Sequence, residues 1–175
     1  YHTTGPEILE QTGGNLSSVV ATVGTSGTLM GLSRYFKEVS PDIRVVCAEP
    51  YLGHKIQGLK NMKESYTPGI MDKKRLDERI HIDDDTAFET ARKLASQEGL
   101  FVGMSSGAAV AAAIEEAKKI QNGVVVAILP DSGERYLSTS LFAVKNSLPL
   151  KLFSTETREK KTFEPLDTDK ISVYT

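Results

Sequence analysis

The sequence lacks the residues on which several classes of protein depend. Tryptophan is absent, and Cys47 is the one cysteine. A single cysteine excludes a disulfide framework within the chain and a cysteine-rich metal site. No apolar run approaches the about 18 residues of a membrane-spanning helix, and no signal-peptide pattern is recognisable. We therefore expect a soluble cytoplasmic protein that has no metal site. Cys47 lies within an apolar segment, which predicts a buried thiol rather than a reactive one.

The sequence also lacks an excess of charge of one sign. Its 21 basic and 23 acidic residues are interspersed and give a net charge of −2. Such a balance provides no basic patch for nucleic acid or for an anionic membrane. The length of 175 residues is enough for one domain with a substantial core.

Strand and helix patterns alternate along the chain. Short apolar segments bounded by glycine or proline predict buried strands at residues 17–24, 43–50 and 123–130, and a further short strand at 79–82. Residues 100–102 form another apolar run, which we expect to be a strand. Helical spacing predicts helices at residues 5–13, 25–40, 83–99 and 107–120. The alternation predicts an α/β fold with a parallel sheet.

A loop of small residues follows the first predicted strand. It consists of Gly24, Thr25, Ser26, Gly27 and Thr28. Glycine permits close approach of a ligand to the backbone, and the following helix offers unpaired N–H groups, so the loop is suited to phosphate. It has no lysine and is not a Walker A loop, and its glycine spacing differs from G-x-G-x-x-G, which argues against a dinucleotide site. A plain turn with a helix cap is the alternative.

A second loop, Gly103-Met104-Ser105-Ser106-Gly107, fits the G-x-S-x-G pattern of serine hydrolases. In that fold the catalytic histidine follows the serine in the chain, and every histidine here precedes Ser105. The hydrolase hypothesis is therefore disfavoured, while capping of the next helix by Ser105 and Ser106 stays open. A third small-residue loop spans residues 130–133. All three loops are expected at the carboxyl ends of strands, where open parallel sheets bind ligands.

Five motifs occur in the order found in cysteine synthase (O-acetylserine sulfhydrylase). They are TTGPEILEQTGG, GTSGT, HKIQGLKNM, EGLFVGMSSGAAVAAA and LPDSGERYLST. The chain therefore resembles the C-terminal portion of these enzymes, which depend on pyridoxal 5′-phosphate (PLP) and have fold type II. The resemblance covers roughly residues 1–142. It implies a three-layer α/β fold, with an open, mostly parallel sheet and helices on both faces, and a homodimer.

The resemblance also implies a role for individual residues. The residues that would hold the PLP phosphate are Gly24, Thr25, Ser26, Gly27 and Thr28. Ser105 would hydrogen-bond the pyridine nitrogen, while Pro130 and Asp131 would line the ring. Gln57 and Gly58 would face the substrate. The implied reaction is β-replacement, in which an activated serine (O-acetylserine or O-phosphoserine) and sulfide give L-cysteine.

The chain departs from the family in one serious respect. None of its lysines stands where the family has its Schiff-base lysine, so no catalytic residue is assigned. We expect the chain to be part of a longer enzyme and to be inactive alone. Residues 58–72 also differ from the commonest form of the family, which leaves the amino-acid donor open. The alternatives are an enzyme of the cystathionine β-synthase type and a non-catalytic module that binds PLP or phosphate.

The last residues do not continue the resemblance to cysteine synthase. Residues 150–175 are instead similar to the start of cysteinyl-tRNA synthetase. The predicted domains are therefore residues 1–146, the cysteine synthase portion, and residues 147–175, a linker and the beginning of a synthetase-like segment. This implies a fusion of an enzyme that makes cysteine with one that uses it. A solvated tail of mixed charge is the alternative.

Overall fold

The structure, a computed structural model, describes residues 1–142, 151–155 and 157–162. The chain divides into two units, Tyr1–Phe142 and Ala143–Thr175. The predicted boundary between residues 146 and 147 lies outside the described residues and stays a prediction.

Four parallel strands form the sheet of the first unit, in the order β3-β2-β1-β4. Their bounds are Leu16–Thr22 for β1, Arg44–Pro50 for β2, Glu78–Ile82 for β3 and Val124–Ala127 for β4. In the centre of the sheet, Val20 of β1 pairs with Val46 of β2, and both are fully buried. Strands that are covered on both faces require continuous apolar runs, which is why the two central strands were recognisable in the sequence.

Helices cover both faces of this sheet, as predicted. The helices are α1 (Thr4–Gln11), α2 (Gly27–Val39), α3 (Asp84–Lys93) and α4 (Met104–Ala117). Val19 and Val45 belong to the same apolar cluster as Phe36 of α2, whereas Val20 and Val46 belong to the same cluster as Met104 of α4. Successive strand residues point to opposite faces, so one pair of strands supplies two cores.

Cys47 lies in β2 with no exposed surface. Burial, together with the nearby carboxylate of Glu49, raises the pKa of its thiol to about 12. The prediction that this thiol is buried is confirmed, and a raised pKa disfavours its reactive thiolate form.

Several predicted elements differ from the observed ones. The helix predicted at 83–99 is an α-helix only over Asp84–Lys93 and continues as a π-helix over Leu94–Glu98. Residues 100–102 form no strand, and Val102 makes only a single antiparallel bridge, to Ser132. The strand predicted at 123–130 is shorter, and it is half-exposed because β4 lies at the edge of the described sheet. The helix predicted from residue 25 begins at Gly27, since Ser26 has a φ of 71°, which no α-helix accommodates.

The long connection after β2 is fastened to the carboxyl ends of the strands. The Lys60 amide donates to the Val23 carbonyl at 2.9 Å, and the Asn61 side chain donates to the Pro50 carbonyl at 2.7 Å. The buried carboxylate of Glu49 accepts from the Met62 amide at 2.8 Å. These bonds place the preceding residues, including Gly58, beside the loop after β1.

The second unit contains an antiparallel hairpin within its described residues. Strand β5 (Lys151–Ser154) pairs with β6 (Glu159–Thr162), so that Phe153 lies opposite Lys160. Most of the segment that resembles cysteinyl-tRNA synthetase lies outside the described residues. No described helix, in either unit, is long and apolar enough to cross a bilayer.

Candidate functional site

A cavity of about 330 Å³ opens at the carboxyl ends of β1 and β4. This volume lies within the usual range for small-ligand sites. The cavity is lined by Thr22, Gly24, Thr25, Ser26, Gly27, Thr28, Gly58, Leu59, Ser105, Pro130, Asp131, Arg135 and Tyr136. The three loops that the sequence placed separately at strand ends therefore meet around one space.

The loop after β1, which contains Ser26, has the features of an anion-binding site. The Ser26 side chain is 97% buried, and its hydroxyl oxygen has no hydrogen-bond partner among the described residues. The first bond within α2 runs from the Met30 amide to the Ser26 carbonyl, so the amides of the preceding turn have no partner in the helix. Unpaired amides at the positive end of a helix favour a negatively charged ligand.

Glycine is required where the loop after β1 meets the connection after β2. A Cβ atom at Gly24 would lie 2.7 Å from the Gly58 carbonyl oxygen, so any side chain there would push the two segments apart. By contrast, a Cβ atom at Gly27 would meet nothing within 4 Å, because it would point into open space. Gly58 lines the cavity, whereas Gln57 is exposed and is not among the described residues that form its walls.

The third loop caps the N-terminus of α4. The N-cap residue, Gly103, has no side chain to accept from the first amides of the helix. Asp131 accepts in its place: its Oδ2 receives the Ser105 amide at 3.1 Å and its Oδ1 receives the Ser106 amide at 2.9 Å. The Ser106 hydroxyl also donates to Oδ1. Ser105 and Ser106 are therefore capped residues and not capping ones, which corrects the simple alternative drawn from the sequence.

Hydrogen bonds keep Asp131 ionised although it is partly buried. Burial alone would raise the pKa of Asp131, but the Ser106 and Ser105 side chains and the Ser106 amide lower it below its usual value. Burial and the neighbouring Asp131 carboxylate raise the pKa of Tyr136 to about 12, so that this phenol stays protonated and is a donor. A Cβ atom at Gly103 would overlap both the Tyr136 ring and the Asp131 carboxylate, so the packing at this end of α4 is close.

Ser105 faces the cavity with a side chain that is only slightly exposed. No histidine is among the described residues that line this space, and His2, His54 and His81 all lie elsewhere. Among the described residues, Ser105 therefore has no histidine base of the kind that a serine hydrolase uses. The structure thus agrees with the argument against a hydrolase.

Two lining residues, Arg135 and Tyr136, were not assigned a role from the sequence. Both belong to the GERY portion of the last motif and follow Asp131 in a short helical turn, Gly133–Tyr136. Their order in the chain does not show that the turn folds back toward Ser105. Within the described residues, no group of three or more histidine, cysteine, aspartate or glutamate side chains could hold a metal ion.

Comparisons with known proteins match the part of the chain that forms this cavity. The model of the family described as "Pyridoxal-phosphate dependent enzyme" matches residues 1–131. Cysteine synthase B of Pseudomonas aeruginosa is 44% identical over 142 residues, which cover 81% of this chain and 48% of that protein.

Solved structures show the same similarity. O-ureido-L-serine synthase is 39% identical, with a TM-score of 0.76 over 84% of this chain and 50% of that one. An O-acetylserine-dependent cystathionine β-synthase from Helicobacter pylori is 40% identical, with a TM-score of 0.72 over 81% of this chain and 49% of that one.

The chain spans about half the length of the relatives that it matches. The match to the family model nevertheless takes in the loop after β1, the N-terminus of α4 and Asp131. The parallel sheet flanked by helices is the fold of the structural neighbours, which are fold type II enzymes. This chain belongs to the family of pyridoxal-phosphate dependent enzymes.

Proposed function

We propose that the chain forms the cofactor-binding part of an enzyme that makes L-cysteine by β-replacement. The substrates would be sulfide and an activated serine, O-acetylserine or O-phosphoserine. The observation that carries the proposal is the single cavity formed by the loop after β1, the N-terminus of α4 and Asp131. Its support from relatives is the 44% identity to a cysteine synthase B.

The phosphate end of the cavity fits the phosphate of PLP. The buried Ser26 hydroxyl has no partner within residues 1–142, 151–155 and 157–162, and the first amides of α2 have none within the helix; a phosphate group would satisfy these donors. Gly24, Thr25, Gly27 and Thr28 would complete this cup, with the open space beside Gly27 left for the ligand.

The ring end of the cavity fits the pyridine. Ser105 would meet the ring nitrogen with a neutral hydroxyl, and Pro130 and Asp131 would lie along the ring. When bound, the cofactor withdraws electrons from the attached amino acid, which permits loss of the β-substituent and addition of sulfide. A neutral hydroxyl does not hold the ring nitrogen protonated as a carboxylate would, and this moderate electron demand suits β-elimination.

The substrate would enter beside the connection after β2. Gly58 lines the cavity there, and Gln57 next to it would contact the substrate from the more exposed side. No lysine of the chain is assigned as the Schiff-base residue. We therefore expect the chain alone to bind PLP without catalysing turnover.

A second candidate, an enzyme of the cystathionine β-synthase type, is favoured by the Helicobacter pylori structure at 40% identity. A chimera in which this chain replaces the matching half of cysteine synthase B separates the two. Cysteine formed from O-acetylserine and sulfide supports the first candidate, whereas cystathionine formed with homocysteine supports the second. If the chimera binds PLP but forms neither product, the non-catalytic alternative gains support.

Further features of the full enzyme stay predictions. They are a homodimer, a cytoplasmic location, small-molecule substrates without nucleic acid, and a fusion in which residues 147–175 begin a synthetase-like segment. The hairpin of β5 and β6 is the part of that segment that the structure describes.

The test of the cofactor site uses the chain with two ligands. PLP and pyridoxal, which lacks the phosphate, are titrated by calorimetry, and PLP should bind at least about tenfold more tightly because charge-assisted hydrogen bonds are worth about 1.5–3 kcal/mol. The substitution Gly27→Leu should abolish this preference, because its side chain would fill the space of the phosphate while leaving the surrounding atoms in place.

Gly69→Leu is the matched control. A Cβ atom there also meets nothing within 4 Å, and Gly69 is not among the residues that line the cavity. Its PLP affinity should equal that of the unmodified chain. Equal binding of PLP and pyridoxal by the unmodified chain, or an unchanged preference in Gly27→Leu, would contradict the proposed phosphate site.

A further inference from the structure

We propose that Asp131 is a positioning residue: it holds Ser105 where the Ser105 hydroxyl meets the ring nitrogen of the cofactor. This inference rests on the proposed function and adds a residue that acts through Ser105. The observation behind it is that the cap of α4 comes from a different element of the fold, the loop after β4.

The N-terminus of α4 is capped by a residue from a distant segment. Most helices are capped by a side chain that directly precedes them, but Gly103 has none. The two amides that need an acceptor are those of Ser105 and Ser106, and both oxygens of Asp131 are used, at 3.1 and 2.9 Å. The direction in which α4 begins is therefore set by the loop after β4.

The two segments are joined in both directions. The Gly103 amide donates to the Asp131 carbonyl at 3.1 Å, and the Asp131 amide donates to the Ser106 hydroxyl oxygen at 3.3 Å. Tyr136 closes the other side, where its ring leaves no room for a side chain on Gly103. A closed set of hydrogen bonds therefore fixes the backbone on each side of Ser105.

This arrangement adjoins the cavity. Ser105 and Asp131 line the same space, so the residue that fixes the backbone amide of Ser105 stands beside the ring that Ser105 would contact. A hydrogen bond to a ring nitrogen needs a donor placed within a few tenths of an ångström. A negative charge at the positive end of α4 also holds the first turn of the helix in place.

The test replaces Asp131 by asparagine, which keeps the shape but offers one acceptor where two amides need one each. Affinity is measured for PLP and for its 1-deaza analogue, in which a carbon atom replaces the ring nitrogen. The unmodified chain should prefer PLP. Asp131→Asn should lose about three- to tenfold in PLP affinity, as for the loss of one hydrogen bond, and should lose clearly less for the analogue, so that the preference for PLP narrows.

Ser105→Ala should show the same pattern, and the double variant should be no worse than either single one. Such non-additivity indicates that the two residues act on one interaction. Equal loss of affinity for both ligands in Asp131→Asn would show a merely structural role and overturn the proposal.

Asp83→Asn is the matched control. Asp83 also caps a helix, α3, but from the position directly before it, accepting from the Thr86 amide and hydroxyl at 2.8 Å each, and it does not line this cavity. It should leave both affinities unchanged, while hydrogen exchange of the ligand-free chains should quicken at the Thr86 amide in this variant and at the Ser105 and Ser106 amides in Asp131→Asn.

The outcomes separate this inference from the proposed function. A wild-type chain that binds PLP and the analogue equally would overturn the ring-nitrogen contact itself, and this inference with it. A wild-type chain that prefers PLP, beside an Asp131→Asn variant with the same preference, would overturn this inference alone. Unchanged exchange at the Ser105 and Ser106 amides in Asp131→Asn would also overturn it.

Discussion

A carboxylate lies at each end of α4, partly buried in Asp131 and fully buried in Glu116, and the two are stabilised by different groups. Asp131, at the N-terminal end, is held by amides and hydroxyls. Glu116, at the C-terminal end, has no exposed side-chain surface and is held by cations: Arg44 lies at 2.6 Å and Lys119 at 3.6 Å. Arg44 also pairs with Glu78 of β3 at 2.7 Å.

The helix explains why the two ends differ. The positive end of its dipole favours Asp131, so neutral donors suffice there, whereas the negative end opposes Glu116 and cations are needed. The cation cluster connects β2, β3 and α4 and therefore contributes to stability. The amide-held carboxylate fixes the geometry of one turn beside a ligand cavity. We conclude that the C-terminal end of α4 stabilises the fold, whereas its N-terminal end holds the turn beside the cavity in place.

Removal of Arg44 should have the largest effect on stability. Arg44→Met leaves Glu116 buried with only Lys119 nearby. Because the Arg44 side chain is itself 40% exposed, we expect a loss of about 1.5–3 kcal/mol, as for one charge-assisted hydrogen bond, rather than the larger cost of a fully buried pair. Urea unfolding should show this loss. Lys93→Met, which breaks an exposed pair with Glu89, is the control and should change the unfolding free energy by less than about 0.5 kcal/mol. Equal effects of the two would mean that the cluster is not an anchor.

Acid should lower the unfolding free energy of the chain through Glu116. The substitution Glu116→Gln should remove that part of the pH dependence. Burial would raise the pKa of Glu116, but the hydrogen bond and charge of Arg44, with the charge of Lys119, lower it below its usual value. A lowered folded-state pKa contributes stability above the ordinary value of about 4.3, and that stability is lost as pH falls through the folded-state pKa.

The measurement is urea unfolding from pH 7 to pH 3. Below about pH 4.3 the unfolding free energy of the unmodified chain should fall more steeply with pH than that of Glu116→Gln. The two slopes should differ by at most about 1.4 kcal/mol per pH unit, which corresponds to the uptake of one proton. Parallel curves for the two proteins would show that Glu116 titrates alike in the folded and unfolded chains.

Lys119→Ala should have the smallest effect, because Lys119 is half-exposed and Arg44 remains beside Glu116. We expect a loss of about 0.5 kcal/mol, reduced further at 1 M salt. Lys118→Ala, which breaks an exposed pair with Glu115, serves as the baseline. A loss as large as that of Arg44→Met would mean that the two cations share Glu116 equally.

The sequence predicted what depends on local pattern. The central strands were recognisable because burial on both faces demands continuous apolar residues. The site could be located because the ends of parallel strands converge, so that Gly24, Ser105 and Asp131 were expected on one edge of the sheet. Each of these inferences uses neighbours in the chain and one general rule of topology.

What the sequence did not predict depends on contacts between distant segments. The role of Asp131 as the cap of α4 joins residues 25 positions apart. The apolar run at 100–102 has the composition of a strand, but it makes only one bridge, between Val102 and Ser132. Ser26 adopts a left-handed backbone conformation that serine disfavours. Its contacts with neighbouring residues, and not the intrinsic preference of serine, therefore determine this conformation.

Ser26 has a thermodynamic consequence. Its positive φ, and a buried hydroxyl that has no hydrogen-bond partner in the part of the chain that the structure describes, both make the ligand-free fold less stable. A ligand that satisfies this hydroxyl binds only the folded chain, because the loop and helix that hold it do not exist in the unfolded one. Stability then rises with ligand concentration, by about 2.7 kcal/mol at a hundredfold excess over the dissociation constant. In a cell, the lifetime of the protein would follow the supply of the molecule that it binds.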